Sequence, residues 1–251
     1  MSDVPPPPPP PPPPEIAPPP GYVAYGGPAS FARIGGLTKA LAALSGVSAA
    51  VAVASAVVQY GLRDDAGTYI ADQTFDFKQS LNTYTGIGVV AMVLSIASLV
   101  VTVLWAFRMA KNLSALGRTN ASFRPAATIA VNVLGSCTLG VLAFMMWKEL
   151  WRGSDPDTPS GDLEWRKTPY PTIIILHLAF TLAAGVLGLT AGAIAGLGNT
   201  TSNKTLDLAK NIHNHMPALL GSGLLQAAAL VCFAVLVRQL GSRHMNATGE
   251  A

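Results

Sequence analysis

The sequence predicts an all-α, polytopic membrane protein, a bundle of five hydrophobic helices behind a disordered, proline-rich N-terminal tail. Three observations carry this prediction. Half of the 251 residues are hydrophobic and 12% are charged, where a soluble domain carries about 25% charged residues. Mean hydropathy is positive, +0.41. The apolar residues also gather in five runs free of Asp, Glu, Lys and Arg, at residues 40–60, 86–107, 126–147, 172–197 and 217–237. About 20 such residues, at 1.5 Å rise each, cross a hydrocarbon core of roughly 30 Å. The expected organisation is a tail over 1–32, a membrane domain over 33–241 and a short disordered tail over 242–251.

The tail opens with ten consecutive prolines, Pro5 to Pro14. Proline fixes φ and lacks an amide proton, so the tract forms an extended polyproline II rod about 31 Å long. Such a rod serves either as a spacer or as a docking strip for an aromatic-lined groove, with Pro5, Pro8, Pro11 and Pro14 one turn apart on the docking face. No apolar stretch follows the initiator Met. An Ala-x-Ala pattern at Ala54 to Ala56 lies so far along the chain that the first segment reads as an uncleaved anchor.

Segment one carries a four-residue stripe of small residues, Ala42, Gly46, Ala50 and Ala54, and segment four carries another, Gly188, Gly192 and Gly196. Such stripes let helix backbones approach in lipid, which predicts that both helices pack inside the bundle. Segment two ends on Trp105 and Arg108. Segment three ends on Trp147, with Lys148, Trp151 and Arg152 beside it. Indole next to cation at the end of an apolar run reads as an interfacial anchor. Asn132, Ser136, His177 and Gln226 are the polar groups expected within the membrane. Each reads as an interhelical hydrogen-bonding group or as part of a polar pathway. For His177 the plain reading is a neutral imidazole bonded to a nearby carbonyl.

Segment three poses the topological question. Lys and Arg number two before the first segment (Arg33, Lys39) and two in the first loop (Arg63, Lys78). The second loop has four (Arg108, Lys111, Arg118, Arg124), and the third has four (Lys148, Arg152, Arg166, Lys167). Two follow in the fourth loop (Lys204, Lys210) and two in the tail (Arg238, Arg243). If all five segments cross, each side receives eight and the positive-inside rule has no preference. If segment three does not cross, one side receives twelve and the other four, an asymmetry typical of membrane proteins. Charge therefore favours four spans, cytoplasmic termini in the cell (inner) membrane, and a re-entrant or interfacial third segment. Hydropathy favours a crossing, since 22 uncharged residues are long enough to span. Gly135-Ser136, with Gly140 a turn later, is the expected break. Half-helices of about ten residues would each reach roughly 15 Å, to the midplane.

The stretches "WAFRMAKNLSALG", "FRP" and "WKELWRGSDP" resemble the bacterial domain-of-unknown-function family numbered 4328. The matching positions are Trp105, Arg108, Asn112, Leu116, Gly117, Phe123, Pro125, Glu149, Leu150 and Trp151. The resemblance covers roughly residues 37–240. It implies an integral membrane protein of the kind found in high-GC Gram-positive bacteria, often with a proline-rich tail, and no biochemical activity. The family tends to place Phe-x-Pro and Pro-Tyr within the third segment, where this chain has Leu134-Gly135-Ser136 and Ala143-Phe144.

No catalytic signature is present. His213 and His215 are two residues apart, which points them in different directions on a helix, and the only nearby acidic residue is Asp207. Cys137 and Cys232 sit in apolar runs and read as small hydrophobes. No enzyme activity, cofactor, metal or nucleic-acid partner is expected. The expected partners are the lipid bilayer and a protein docked on the polyproline tail, with the oligomeric state open. Two functions remain. The first is a membrane scaffold or interaction protein working through its tail. The second is a small channel or transporter with a pathway around segment three and His177.

Overall fold

The computed structural model describes residues 31–250 except 119, 135–137, 139, 160–162 and 198–203, and describes no side chains over 191–197 or at 204. The described residues form helices α1 (Gly35–Ala71), α2 (Phe77–Ala115), α3 (Pro125–Leu134), α4 (Val141–Gly153), α5 (Thr172–Leu197) and α6 (Lys204–Thr248). A 3-10 turn spans Glu164–Lys167. Four helices are long and apolar enough to cross a membrane: α1, α2, α5 and α6. The polyproline tract, Pro5 to Pro14, lies outside the described residues.

Helix α6 is central, packed by α1 on one flank and α5 on the other, with α2 against α1. The α1–α6 crossing is close: a Cβ added at Gly241 would lie 2.4 Å from Thr38 Cγ2. Thr38 donates its hydroxyl to the Ile34 carbonyl at 3.1 Å and accepts the Trp105 indole N–H at 2.9 Å, which ties α2 to the same node. The membrane-facing surface is apolar. On α2, Val89, Val90, Met92, Val93, Ile96 and Val100 are all more than half exposed, a patch that a water-soluble protein would bury.

Segment three is broken into α3 and α4. Gly140, before α4, is left-handed (φ 78°), a conformation that glycine adopts without a Cβ clash. Helix α3 ends at Leu134 and α4 begins at Val141, on either side of the expected break, and Gly135 and Ser136 themselves lie outside the described residues.

Two expectations about helix length are corrected. Residues 62–85, expected as a loop, are helix except for a turn at Asp72–Asp76, where Asp72 Oδ1 accepts the Thr74 amide at 3.0 Å. The ends of α1 and α2 run on past the apolar spans because they bury their own core. Leu62, Ala66, Phe77, Ala209 and Met216 cluster there, and Tyr69 stacks on Phe77 at 5.6 Å. Residues 242–248, expected as a disordered tail, complete α6. Glu250 just beyond accepts the amides of Ile34 and Gly35 at 2.8 to 2.9 Å, capping the N-terminus of α1. A carboxylate against the positive end of a helix is favourable, and α1 has no cap of its own.

Candidate functional site

The hairpin of α3 and α4 builds the site. Phe123 donates its amide to Glu149 Oε1 at 2.7 Å, although the two residues are 26 apart; in one straight helix they would be about 39 Å apart. Deeper in, Asn132 Nδ2 lies 3.8 Å from Met146 Sδ. The chain therefore folds back on itself, and both ends of segment three lie at one end of the bundle. Contacts at that end also gather the start of α1, the end of α2 and the end of α6. Asn112 exchanges hydrogen bonds with the Ala32 backbone at 2.8 and 2.9 Å, and Arg108 donates to the Arg33 carbonyl at 2.9 Å.

A half-length hairpin fills only one half of the bundle's thickness. Near its tip a cavity of about 530 Å³ opens among α2, α3, α4, α5 and α6. Asn132, His177 and Gln226, singled out separately as polar groups in apolar runs, all line it. Asn132 donates to the Thr128 carbonyl at 2.8 Å. His177 lies 3.0 Å through Nδ1 from the Ala229 carbonyl of α6 and stacks on Phe233 at 5.1 Å. A carbonyl only accepts, so Nδ1 is the donor and Nε2 keeps its lone pair. Neither His177 Nε2 nor the Gln226 amide has a partner among the described residues. Thr102 and Thr181 also line the wall, with their hydroxyls turned back to helix carbonyls at 2.7 Å. None of the lining residues is charged, and most are apolar. The arrangement can accept and donate hydrogen bonds to a small uncharged molecule.

Other expected site residues lie elsewhere. Trp105 and Trp147 are not interfacial anchors: they are 0% and 3% exposed. Their rings pack at 5.8 Å, and Trp147 packs on Phe233 at 5.7 Å. They fill the space between the hairpin and the long helices, which no sequence-local signal reveals. Trp151 is half-buried, donating to the Pro169 carbonyl at 3.2 Å under the Arg243 guanidinium. Arg108 is exposed at the bundle end.

The glycine stripes divide. Gly188 is a true close approach: an added Cβ would lie 2.8 Å from Ser222 Oγ, which itself donates to the Ala184 carbonyl at 2.9 Å. The surroundings of Gly192 and Gly196 lie outside the described side chains. In α1 the expected stripe is out of phase. Gly46, Ala50 and Ala54 are exposed and Ala42 half-buried, while Thr38, Leu41, Ser45 and Ala49 form the buried face. Gly46 faces open space. Ser45 and Ala49 are as small as the residues of the expected stripe, so spacing alone does not choose between the two faces.

Sequence reasoning missed a buried polar network at the hairpin's base. His244, fully buried, lies 3.1 Å from Asn112 Nδ2 and 2.7 Å from Ser154 Oγ. Asn112 Nδ2 is a donor, so His244 Nε2 accepts and Nδ1–H donates to Ser154, whose hydroxyl passes to the Leu150 carbonyl at 2.7 Å. His244 lies beyond the apolar run of α6. Burial pushes its pKa down to about 4, against a smaller upward pull from Glu250. Arg118, also buried, donates to the carbonyls of Gly153, Asp155, Thr158 and Pro159 at 2.7 to 3.3 Å, closing the C-terminus of α4. Asp155 is partly buried, which opposes its charge. Hydrogen bonds from Thr158 and Thr168 and the Arg243 cation at 2.7 Å nonetheless hold its carboxyl below the usual range.

Several of these residues carried the family resemblance. Asn112 is the hub of the network and Glu149 closes the hairpin. Gly117 (φ 75°) ends α2 in a Schellman turn, with Arg118 N–H to the Leu113 carbonyl at 2.9 Å. A family model, described as a domain of unknown function (DUF4328), matches residues 68–242. The chain belongs to this family. The match takes in α2 to α5, the end of α1 and α6 as far as Ser242, so the hairpin, the cavity and most of the polar network lie within it. No curated protein and no solved structure matches the chain.

Proposed function

We propose that this DUF4328 protein is a non-enzymatic channel or transporter for a small uncharged solute, with the hairpin-tip cavity as its binding site. The observation that carries this reading is the convergence of Asn132, His177 and Gln226, from three helices, on one uncharged cavity. Gln226 lies near the middle of the apolar run 217–237, where an amide without a partner is costly. A solute or water supplying hydrogen bonds to Gln226 and to His177 Nε2 removes that cost. The cavity favours this reading over the scaffold because it places polar groups where scaffolding needs none. Of the sixteen Lys and Arg, the twelve assigned to one side by the hairpin topology would face the cytoplasm under the positive-inside rule, together with both ends of the chain.

The test is solute-driven swelling of proteoliposomes containing the full chain, followed by light scattering with urea and glycerol as probes. The expected result is swelling faster than in protein-free vesicles, reduced several-fold in His177→Ala and Gln226→Leu and unchanged on deletion of Pro5 to Pro14. Swelling no faster than in empty vesicles with either probe would count against the reading. The polyproline tract supports the second reading, a cytoplasmic docking strip in a scaffold of the cell membrane. There, deletion of Pro5 to Pro14 abolishes co-purification of a partner with an aromatic groove, and His177→Ala does not.

A further inference from the structure

A second pocket, roughly 260 Å³, shares no residue with the hairpin-tip cavity and opens beside the outer part of α4. Lys148, Arg152 and Arg166 line it, with one carboxylate, Glu149. Glu149 Oε1 is engaged by the Phe123 amide at 2.7 Å. Arg152 gives Nε to the Thr168 carbonyl at 2.9 Å, and Arg166 gives one Nη2 bond to the Asn120 carbonyl, so each guanidinium keeps further donors. Lys148 Nζ rests 4.9 Å over the Tyr170 ring and forms no hydrogen bond within the described residues. The wall is thus cationic, with donors left over.

A second observation points to an acceptor. Trp165 lines the same pocket, is 1% exposed, and its indole N–H has no hydrogen-bond partner among the described residues. A buried indole N–H ordinarily finds an acceptor, and here the Arg166 guanidinium lies 5.4 Å over the ring. Depth supplies the third element. Lys148 is eight residues along α4 from the tip glycine, about 12 Å, and half a hydrocarbon core is about 15 Å. The cations therefore sit near headgroup level, and Met145, half exposed in the same wall, lies closer to the midplane.

We propose that this pocket binds the phosphate of an anionic glycerophospholipid. The phosphate oxygens accept from Lys148, Arg152, Arg166 and the Trp165 indole, and Met145 and Phe123 meet the start of the acyl chains. Three cations against one committed carboxylate favour a lipid of net negative charge over a zwitterionic one, whose ammonium the cations repel.

The test is native mass spectrometry of the full-length protein released from vesicles of equal parts phosphatidylglycerol and phosphatidylcholine. The wild type is expected to retain phosphatidylglycerol with about ten-fold preference, and Lys148→Gln with Arg166→Gln to bring the ratio near one. Trp165→Phe, which keeps an aromatic ring but removes the N–H with the rest of the five-membered ring, lowers retention a few-fold. Lys148→Gln alone breaks no hydrogen bond among the described residues and keeps the test readable if the Arg166 variant fails to fold. Equal retention of the two lipids by the wild type overturns the proposal, as does undiminished phosphatidylglycerol in both Lys148→Gln and Trp165→Phe. Displacement of the lipid by millimolar glycerol 1-phosphate would assign the site to a soluble phosphate ester and also overturn it.

Discussion

The buried imidazole of His244 makes stability depend on pH in a defined window. Its pKa in the folded protein is about 4, below the ordinary histidine value of about 6.5. The neutral form is the one the fold selects, so its contribution is complete above about pH 6.5 and is lost as pH falls towards 4. The loss amounts to about 3 kcal/mol at most. Thermal unfolding of the detergent-solubilised protein should therefore shift down between pH 6.5 and 4. His244→Gln should unfold at lower temperature at neutral pH and show little slope in that window. Equal slopes in the two proteins would remove His244 from the account. Asp155 acts elsewhere on the pH scale: its carboxyl is held below the usual range, so its contribution falls away at more acidic pH. Packing at the residue scale makes its own prediction. Thr38 is fixed by two hydrogen bonds beneath Gly241, so Gly241→Val has no room and should cost about 1–3 kcal/mol. Gly46→Val, in open space, should leave the unfolding temperature nearly unchanged.

Among the elements, the α3–α4 hairpin decides the architecture, and it is partly legible in the sequence. Hydropathy alone makes 126–147 a span, and only the distribution of Lys and Arg separates a crossing from a reversal. The break needs no proline: Gly140 supplies the left-handed residue that starts α4. Gly140→Ala should destabilise the hairpin by about 1–2 kcal/mol through its φ alone, measurable as a lower unfolding temperature beside Gly36→Ala, a helical glycine in open space. Asn132, His177 and Gln226 were visible because a polar residue in an apolar run stands out. Their meeting at one cavity was not, because it depends on where the hairpin stops. The tryptophans misled for the same reason. Indole beside a cation at the end of an apolar run marks an anchor when the helix ends at the headgroups. It marks a core residue when a half-length hairpin leaves space behind it, as for Trp105 and Trp147. The extensions of α1, α2 and α6 escaped notice because hydropathy finds runs long enough for lipid, not short amphipathic stretches such as Leu62, Ala66 and Tyr69.

For the molecule as a whole, the central claim is that four helices span the membrane and segment three returns to the side it left. Charge and hydrogen bonds reach this independently. Twelve cations fall on one side only if segment three reverses, and the Phe123–Glu149 bond requires the reversal. The cavity follows from the same geometry, since a continuous fifth helix would carry residues 141–147 past the midplane and close the space at the tip. The most direct measurement uses a background with Cys137→Ala and Cys232→Ala. Single cysteines placed at exposed Ser122, Asp157 and Gln73 are labelled in intact and in permeabilised cells with a membrane-impermeant maleimide. The account predicts that Ser122→Cys and Asp157→Cys behave alike, reacting only after permeabilisation, while Gln73→Cys reacts in intact cells. Opposite labelling of positions 122 and 157 would show that segment three crosses, and would contradict the hairpin and the cavity at its tip.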